Sequence, residues 1–250
     1  MPASPIADTA TSPTREDALA TILRGIAAAS AAAGRSVPAR LLAVSKTRGA
    51  DEIAALAAAW AARGERLLAF GENYVQEALT KRPALADSTL EWHLIGHLQS
   101  NKAKDAAAAF DWVQTVDRSK LIAALAAHRP PERPPLNVLI QVNIDDESSK
   151  HGCAPDAVDA LAAAIAAEPR LRLRGLMAIP APDPDMSRRR EAFRRMRDLY
   201  DALAARYPSV DTLSMGMSED YALAIAEGAT LVRVGTALFG PRPAQQKLTP

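Results

Sequence analysis

The sequence predicts a single (β/α)8 barrel of the TIM type with one extra helix on its N-terminal side, and three observations support this. The chain has 250 residues, a routine length for one such barrel. Nearly half of the residues, 48%, are hydrophobic, which is enough for a large core. Eight short β-like runs alternate with longer helical segments, a pattern typical of parallel strands joined by crossovers. A doubly wound open sheet is the alternative arrangement.

The eight strand candidates are short and apolar, and several end in polar residues. In chain order they are LLAVSK (41–46), RLLAFGEN (66–73), WHLIGH (92–97), WVQTVD (112–117), NVLIQVNI (137–144), LRGLMAIP (173–180), TLSMGMS (212–218) and LVRVGTALFG (231–240). The stretch around the fourth, AAAAFDWVQTVD, is also compatible with a partly helical conformation. Parallel pairing of all eight would close the barrel.

The segments between the strand candidates predict helices. DEIAALAAAWAARG and PDAVDALAAAIAAEP are rich in alanine, the best helix former, and their larger apolar residues recur every three or four positions. The stretch TREDALATILRGIAAASAAAG adds the leading helix, with Thr14 as its N-cap and Asp17 as a first-turn acid. The barrel is therefore expected to span residues 14–240.

The two ends of the chain are predicted to lie outside the barrel. Residues 1–13, rich in Pro, Ser, Thr and Ala, are expected to form a disordered tail, and residues 241–250 a short C-terminal tail. No signal peptide is recognised, and no apolar run approaches the roughly 20 residues of a membrane span. The single cysteine, Cys153, receives no role and favours a reducing compartment. We therefore expect a cytoplasmic protein that does not bind membranes.

Charge gives no indication of a nucleic-acid partner, because the formal net charge is only +1. The basic stretch SRRREAFRRMRDLY (187–200) is interpreted as the solvated face of a helix rather than a nucleic-acid surface. His93 and His97 lie four residues apart but lack a third ligand at suitable spacing, so no metal site is expected.

A lysine ends the first strand candidate. Leu42, Val44 and Lys46 share one face of that strand, since side chains alternate between the two faces. If this face points inward, the amine lies at the barrel mouth, where the carboxyl ends of the strands meet and active sites form. Desolvation there favours the neutral amine, which can form a Schiff base with a carbonyl compound. The alternative is a lysine that extends to water and pairs with a carboxylate such as Glu72.

The seventh and eighth strand candidates carry a second group of residues. Arg233 lies in an apolar run, and its buried guanidinium requires either a structural ion pair or an acceptor on a ligand. Gly235 would let the backbone approach a ligand, and Thr236 offers a hydroxyl and an N–H group. Barrels often bind phosphate at the loops after these strands. Ser218 is predicted as the N-cap of the next helix, whose N-terminus also favours anions.

Polar residues also lie at the C-terminal ends of several other strand candidates, including Asn73, His97, Asp117 and Asn143. In a parallel barrel these residues would all gather at one face. A mouth that combines an amine, an arginine and a phosphate cradle fits a ligand with both an aldehyde and a phosphate. Pyridoxal 5'-phosphate (PLP) is such a molecule.

Six stretches of the chain strongly resemble the pyridoxal-phosphate homeostasis protein family. They are LLAVSKT, FGENYVQEA, WHLIGHLQSNK, VLIQVNIDDESSKHG, GLMAIP and LSMGMSEDYALAIAEGATLVRVGTALFG, and they cover most of residues 41–240. The family is itself similar to the barrel domain of alanine racemases. The resemblance implies that Lys46 carries PLP as a Schiff base and that Arg233 faces the pyridine nitrogen. It also implies that the phosphate is held by Ser218, Gly235 and Thr236.

Two further residues complete the candidate cofactor-binding set. Asn73, in the GEN stretch, is placed near the ring by the same resemblance. Met217 is the other candidate, although packing is the preferred interpretation of both Met215 and Met217. The TRGA sequence after Lys46 departs from the more usual TKP-like continuation. It lies outside the expected ring site, so little effect is expected.

Three roles are compatible with an amine at a phosphate site. The preferred one is a carrier that buffers or delivers PLP without substantial catalysis. A racemase-like enzyme needs an acid or base on each face of the substrate carbanion, and neither Tyr74 nor Tyr221 matches the racemase pattern. The chain ends about ten residues after the last strand candidate, so the second racemase domain is expected to be absent. A lysine-dependent aldolase would leave Arg233 unexplained.

The expected partners are small. They are PLP, other B6 vitamers and PLP-dependent apoenzymes, with no nucleic acid and no membrane. A monomer is expected because the dimer contacts of racemases depend on the second domain.

Overall fold

The computed structural model describes residues 14–64, 68–85, 90–147, 150–180 and 184–241. Its eight strands are parallel and close into one barrel in sequential order, with the eighth strand paired to the first. This confirms the predicted fold class, and the open doubly wound sheet is wrong. The predicted tails, 1–13 and all of 241–250 except Pro241, lie outside the described residues.

The strands are shorter than the sequence pattern predicted. They are β1 (Arg40–Val44), β2 (Leu68–Glu72), β3 (Leu90–Leu94), β4 (Trp112–Val116), β5 (Leu136–Gln141), β6 (Leu171–Met177), β7 (Thr212–Ser214) and β8 (Leu231–Val234). Most predicted strands extended past the true end of pairing, so their terminal polar residues lie in the loops that follow. Lys46, for example, is in a turn two residues beyond the end of β1.

Helices surround the barrel. They are α1 (Arg15–Ala32), α2 (Ala50–Ala61), α3 (Val75–Lys81), α4 (Ala103–Ala109), α5 (Ser119–His128), α6 (Val158–Ala166), α7 (Met186–Ala204), α8 (Tyr221–Ala226) and α9 (Thr236–Phe239). Helix α1 is the predicted extra helix, and Thr14 and Asp17 form a reciprocal capping box at its start. The alanines before β4 belong to α4, which confirms the partly helical interpretation of that stretch.

The basic stretch forms helix α7, as predicted. Glu227, at the end of α8, lies 3.1 Å from Nε of Arg190 and 3.7 Å from Nε of Arg194. Arg197 pairs with Asp201 one turn further along the same helix at 2.6 Å. These ion pairs compensate part of the positive charge of α7, which supports its interpretation as a solvated helix face.

The buried hydrophobic residues form one large cluster and two small ones. The large cluster lies between the strands and the helices, where side chains such as Phe70 and Phe193 are fully buried. A smaller cluster includes Leu42, which is in register with Arg233 on β8. The barrel interior therefore mixes aliphatic with polar side chains, whereas bulky aliphatic residues dominate a typical TIM barrel. Across the described ranges, none of the helices combines the length and apolar character needed to cross a membrane.

Candidate functional site

A cavity of about 460 Å³ opens at the carboxyl ends of the strands. This is the face where TIM barrels carry their active sites, and the volume is typical of small-ligand pockets. All seven candidate residues predicted from the sequence line this cavity: Lys46, Asn73, Met217, Ser218, Arg233, Gly235 and Thr236. The structure thus brings the set together, while the ligand-binding role of each member stays a prediction.

Lys46 is half-buried in the turn that follows β1, and Val44 lines the same cavity, as their alternation predicted. The carboxylate considered as a partner for this lysine, Glu72, is fully buried at the end of β2. Glu72 accepts hydrogen bonds from the Ser45 hydroxyl at 2.5 Å and from the Lys81 amine at 2.9 Å. It is therefore held in a network beneath the turn that carries Lys46.

Lys81 is the centre of that network, which sequence reasoning missed. Its amine also donates to the Ser45 carbonyl at 3.0 Å and to the Glu77 carboxylate at 2.6 Å. Glu77 in turn accepts the backbone N–H of Thr47, whose φ of 66° is costly for a β-branched residue. The network therefore holds the Ser45–Thr47 turn in shape. The (i, i+4) spacing of Glu77 and Lys81 was the one available sequence signal.

Arg233 lies inside the barrel and is only 3% exposed. Its Nη1 donates to the carbonyl of Ser214 at 2.9 Å and to the Ser214 hydroxyl at 2.8 Å, and its Nη2 donates to the carbonyl of Ala178 at 2.7 Å. Within the described part of the chain it forms no salt bridge, so the structural ion-pair interpretation is wrong there. Burial lowers the pKa of Arg233 to about 10, which leaves it charged at neutral pH.

The loops after β7 and β8 supply the remaining predicted residues. The prediction of Ser218 as an N-cap is wrong, because α8 begins at Tyr221 with Asp220 at its N-cap position. The Asp220 carboxylate accepts the backbone N–H of Met217 at 2.6 Å and so stabilises the turn that contains Ser218. Gly235 lies against β1, where an added Cβ would be 3.2 Å from the Val44 carbonyl oxygen.

The two methionines of this region differ. Met215 is fully buried, in agreement with the packing interpretation, whereas Met217 is 44% exposed and lines the cavity. The packing interpretation is therefore wrong for Met217. Lys150 and Arg189 also line the cavity. The sequence did not predict them as site residues, because they come from the loop after β5 and from α7 rather than from strand ends.

The two histidines considered as metal ligands make different contacts. His93 is buried between Glu91 and Gln114, with 2.7 Å contacts at Nε2 and Nδ1 respectively. His97 stacks on His151 with ring centroids 3.8 Å apart. The described residues contain no group of three or more His, Cys, Asp or Glu that could hold a metal ion.

We expect His93 to make stability depend on pH. Burial lowers the pKa of His93, so below the ordinary value of about 6.5 the unfolded chain takes up a proton more readily than the folded protein. The free energy of unfolding should therefore fall as pH drops from about 7.5 to about 5.5, a window above most carboxylate titrations. Urea unfolding at both pH values would measure this slope.

The matched variants for this measurement are His93→Phe and His128→Gln. Phenylalanine keeps a ring against Trp112, on which the His93 ring stacks with centroids 5.0 Å apart. His93→Phe should be less stable at every pH but should lose much of the slope, whereas His128→Gln, at the end of α5, should keep it. An unchanged slope in His93→Phe would assign the pH dependence to other groups.

Two comparisons identify the relatives of this chain. Residues 18–243 match the family model described as alanine racemase, N-terminal domain. A curated protein of Escherichia coli K12 named pyridoxal phosphate homeostasis protein is 51% identical over 233 residues, which cover 92% of this chain and 97% of that protein. The chain belongs to the pyridoxal phosphate homeostasis protein family.

Solved structures agree with this family assignment. PipY of Synechococcus elongatus, in a structure with PLP bound, is 33% identical with a TM-score of 0.76, and the match covers 91% of this chain and all of PipY. Alanine racemase of Corynebacterium glutamicum is 20% identical with a TM-score of 0.61, covering 92% of this chain and 62% of the racemase. The second likeness concerns the fold alone. Members of the pyridoxal phosphate homeostasis protein family and alanine racemases thus share one barrel architecture.

Proposed function

We propose that this protein binds PLP in the barrel-mouth cavity, holds it as a Schiff base on Lys46, and buffers or delivers it without substantial catalysis. The observation that carries the proposal is the meeting of an amine, a buried guanidinium and two polar loops around one cavity. In forming the Schiff base, the lysine nitrogen bonds to the aldehyde carbon and the aldehyde oxygen leaves as water. The bound cofactor would supply a reactive aldehyde in a stored form.

The donors of the cavity fit this cofactor. Arg233 has five N–H groups, of which three are used by Ser214 and Ala178, so others remain for an acceptor such as the pyridine nitrogen. The Ser218 hydroxyl and the Gly235–Thr236 backbone lie after β7 and β8, where TIM barrels often bind phosphate. The structure of the relative PipY with PLP bound supports the assignment.

The cavity offers little for amino-acid racemisation. Among the described residues that line it there is no tyrosine. The hydroxyl of Tyr221 lies against α1, where a Cβ added to Gly25 would be 2.2 Å from it, and Tyr74 is 67% exposed at the start of α3. An arginine facing the ring nitrogen would donate a hydrogen bond without protonating it, which would make the ring a poor electron sink. The names of the curated relatives also favour homeostasis over catalysis.

We expect Lys46→Arg to lose covalent cofactor. Arginine keeps the positive charge but cannot form the Schiff base, so the purified variant should lose the visible absorbance of bound PLP. After borohydride reduction, mass spectrometry of the wild-type protein should place the pyridoxyl mass on the peptide that contains Lys46. Lys120→Arg, an exposed lysine on α5, is the matched control and should behave as wild type. Retention of the chromophore by Lys46→Arg at wild-type strength would contradict the assignment.

A second measurement separates a carrier from an enzyme. The PLP-loaded protein is incubated with each amino acid in turn, and optical purity is followed over time. We expect no turnover at ordinary enzymatic rates, and we expect PLP to pass to an added PLP-dependent apoenzyme, whose recovered activity reports delivery. Racemisation at enzymatic rates would overturn the carrier proposal. Light scattering tests the expected monomeric state of the protein. Cys153 is a buried free thiol, which supports a reducing compartment such as the cytoplasm as the location of the protein.

A further inference from the structure

A continuous chain of buried hydrogen bonds runs through the barrel interior from Arg233. Nη1 of Arg233 donates to Oγ of Ser214 at 2.8 Å, and Oγ of Ser214 donates to Oε1 of Gln114 at 2.7 Å. Nε2 of Gln114 lies 2.7 Å from Nδ1 of His93. Ser214, Gln114 and His93 are fully buried. This series of hydrogen bonds thus runs from β8 through β7 and β4 to β3.

The far end of this chain is a charged pair at the start of the strands. Nε2 of His93 lies 2.7 Å from Oε1 of Glu91, and Arg40 donates to the same oxygen at 2.6 Å. Although burial acts to raise the pKa of Glu91, the His93 hydrogen bond and Arg40 lower it to about 2. Glu91 is therefore a permanent carboxylate at neutral pH.

The carboxylate decides the direction of every bond in the chain. Ionised Glu91 can only accept, so the facing Nε2 of His93 must carry a proton. Burial lowers the pKa of His93 and keeps it neutral, which leaves Nδ1 as an acceptor. Gln114 must then present its NH₂ group to His93 and its oxygen to Ser214, whose hydroxyl proton is given to that oxygen. Ser214 is left to accept from Arg233.

We propose that Ser214, Gln114 and His93 form a one-way relay that positions the Arg233 guanidinium, with the Glu91–Arg40 pair as its fixed end. The hydroxyl and the carbonyl of Ser214 occupy Nη1, and the Ala178 carbonyl occupies one N–H of Nη2. The plane of the guanidinium is thereby set, and its remaining donors are available to the cavity that Arg233 lines. Only the identity of the acceptor as PLP rests on the proposed function.

Packing alone does not explain this arrangement. A barrel interior is usually filled by branched aliphatic side chains, which need no partners. Here five polar side chains are joined end to end with uniform direction, and bonds arranged in this way polarise one another. The Glu91 carboxylate fixes the Nε2–H tautomer of His93 whether or not the relay positions Arg233. The response of Arg233 to a break in the relay therefore distinguishes positioning from satisfied packing.

The first test uses the full-length protein without cofactor and does not depend on PLP binding. Nitrogen-15 NMR of His93 should show a neutral ring protonated at Nε2, and the Nη1 protons of Arg233, which bond to Ser214, should be protected from exchange with solvent. In Gln114→Met, a variant of similar size, these arginine protons should exchange faster. A ring protonated at Nδ1 or on both nitrogens at neutral pH would overturn the relay. So would an Arg233 signal that Gln114→Met leaves unchanged.

The second test uses the PLP-loaded protein. Gln114→Met should bind PLP about tenfold more weakly, as expected for one misplaced hydrogen bond to a charged group, and should shift the absorption band of the bound cofactor. Thr115→Val is the matched control, since Thr115 is equally buried on the same strand but bonds to the carbonyl of Gly96. Ser214→Ala is the smaller change if Gln114→Met does not fold. Wild-type affinity and band in both relay variants would refute positioning, whereas a wild-type protein that binds no PLP would refute only the proposed function.

Discussion

Lys81→Met is expected to lower the free energy of unfolding by about 3–5 kcal/mol, the usual result of removing one member of a buried ion pair. The Lys81 side chain is 9% exposed and the Glu72 side chain 0% exposed, and their charged atoms are 2.9 Å apart. Methionine fills a similar volume but leaves the Glu72 carboxylate without its counter-charge. Burial already raises the pKa of Glu72, so loss of Lys81 strengthens the drive to protonate it. Urea unfolding at neutral pH measures the change.

A double variant tests the cause of this loss. Lys81→Met combined with Glu72→Gln removes the unpaired charge while keeping an acceptor for Ser45, and it should be more stable than Lys81→Met alone. Arg15→Met breaks a partly exposed ion pair with Glu52 and should change stability little. If Lys81→Met stays within about 1 kcal/mol of wild type, the buried network is not a stabilising unit.

The same substitution should also weaken PLP retention. Lys81 bonds to the Ser45 carbonyl and to Glu77, and Glu77 holds the backbone N–H of Thr47. Without Lys81, Glu77 is no longer held in place to accept the N–H of Thr47, so the left-handed conformation of Thr47 loses support and the turn relaxes together with Lys46. Cofactor loss in the folded variant, followed by visible absorbance, would report this positioning effect separately from stability.

Gly175→Ala is expected to lower the free energy of unfolding by about 3 kcal/mol or more, because it combines an unfavourable backbone conformation with a steric clash. Gly175 has a φ of 140°, a backbone conformation that L side chains rarely adopt, in the middle of β6. An added Cβ would also lie 1.9 Å from the Thr212 carbonyl oxygen on the neighbouring strand. Since Gly175 is in register with both Leu139 and Thr212, the backbone cannot move without breaking β-sheet pairing.

Gly34→Ala separates the effect of the backbone conformation from the effect of the steric clash. Gly34 follows α1 with a φ of 71°, and an added Cβ would meet nothing within 4 Å. In this variant only the unfavourable backbone conformation should contribute, and the free energy of unfolding should fall by about 1–2 kcal/mol. Thermal or urea unfolding of both variants gives the comparison. An equal loss in the two would show that the contact with Thr212 contributes nothing, and that β6 and β7 adjust to the methyl group.

The fold was predictable because its signal is local. Alternation of apolar runs with alanine-rich segments depends on neighbours within one helix or strand, and α1 with its Thr14 cap was found in this way. Strand ends were less predictable, since the end of pairing depends on the adjacent strand. Lys46 and Ser218 accordingly lie in loops rather than on β1 and β7. The N-cap prediction for Ser218 was wrong because Asp220 stabilises the turn ahead of α8.

The sequence by itself determined the barrel, through the alternation of strand and helix patterns, and it determined the family and seven of the residues that line one cavity, through short motifs near the strand ends. The tertiary structure alone decided which buried polar groups meet. Ser214 bonds to Gln114 across 100 positions of the chain, and Glu72 reaches Lys81 from a different element. Such pairs leave no periodic signal, since their partners are selected by barrel closure and by the need of every buried charge for a counterpart.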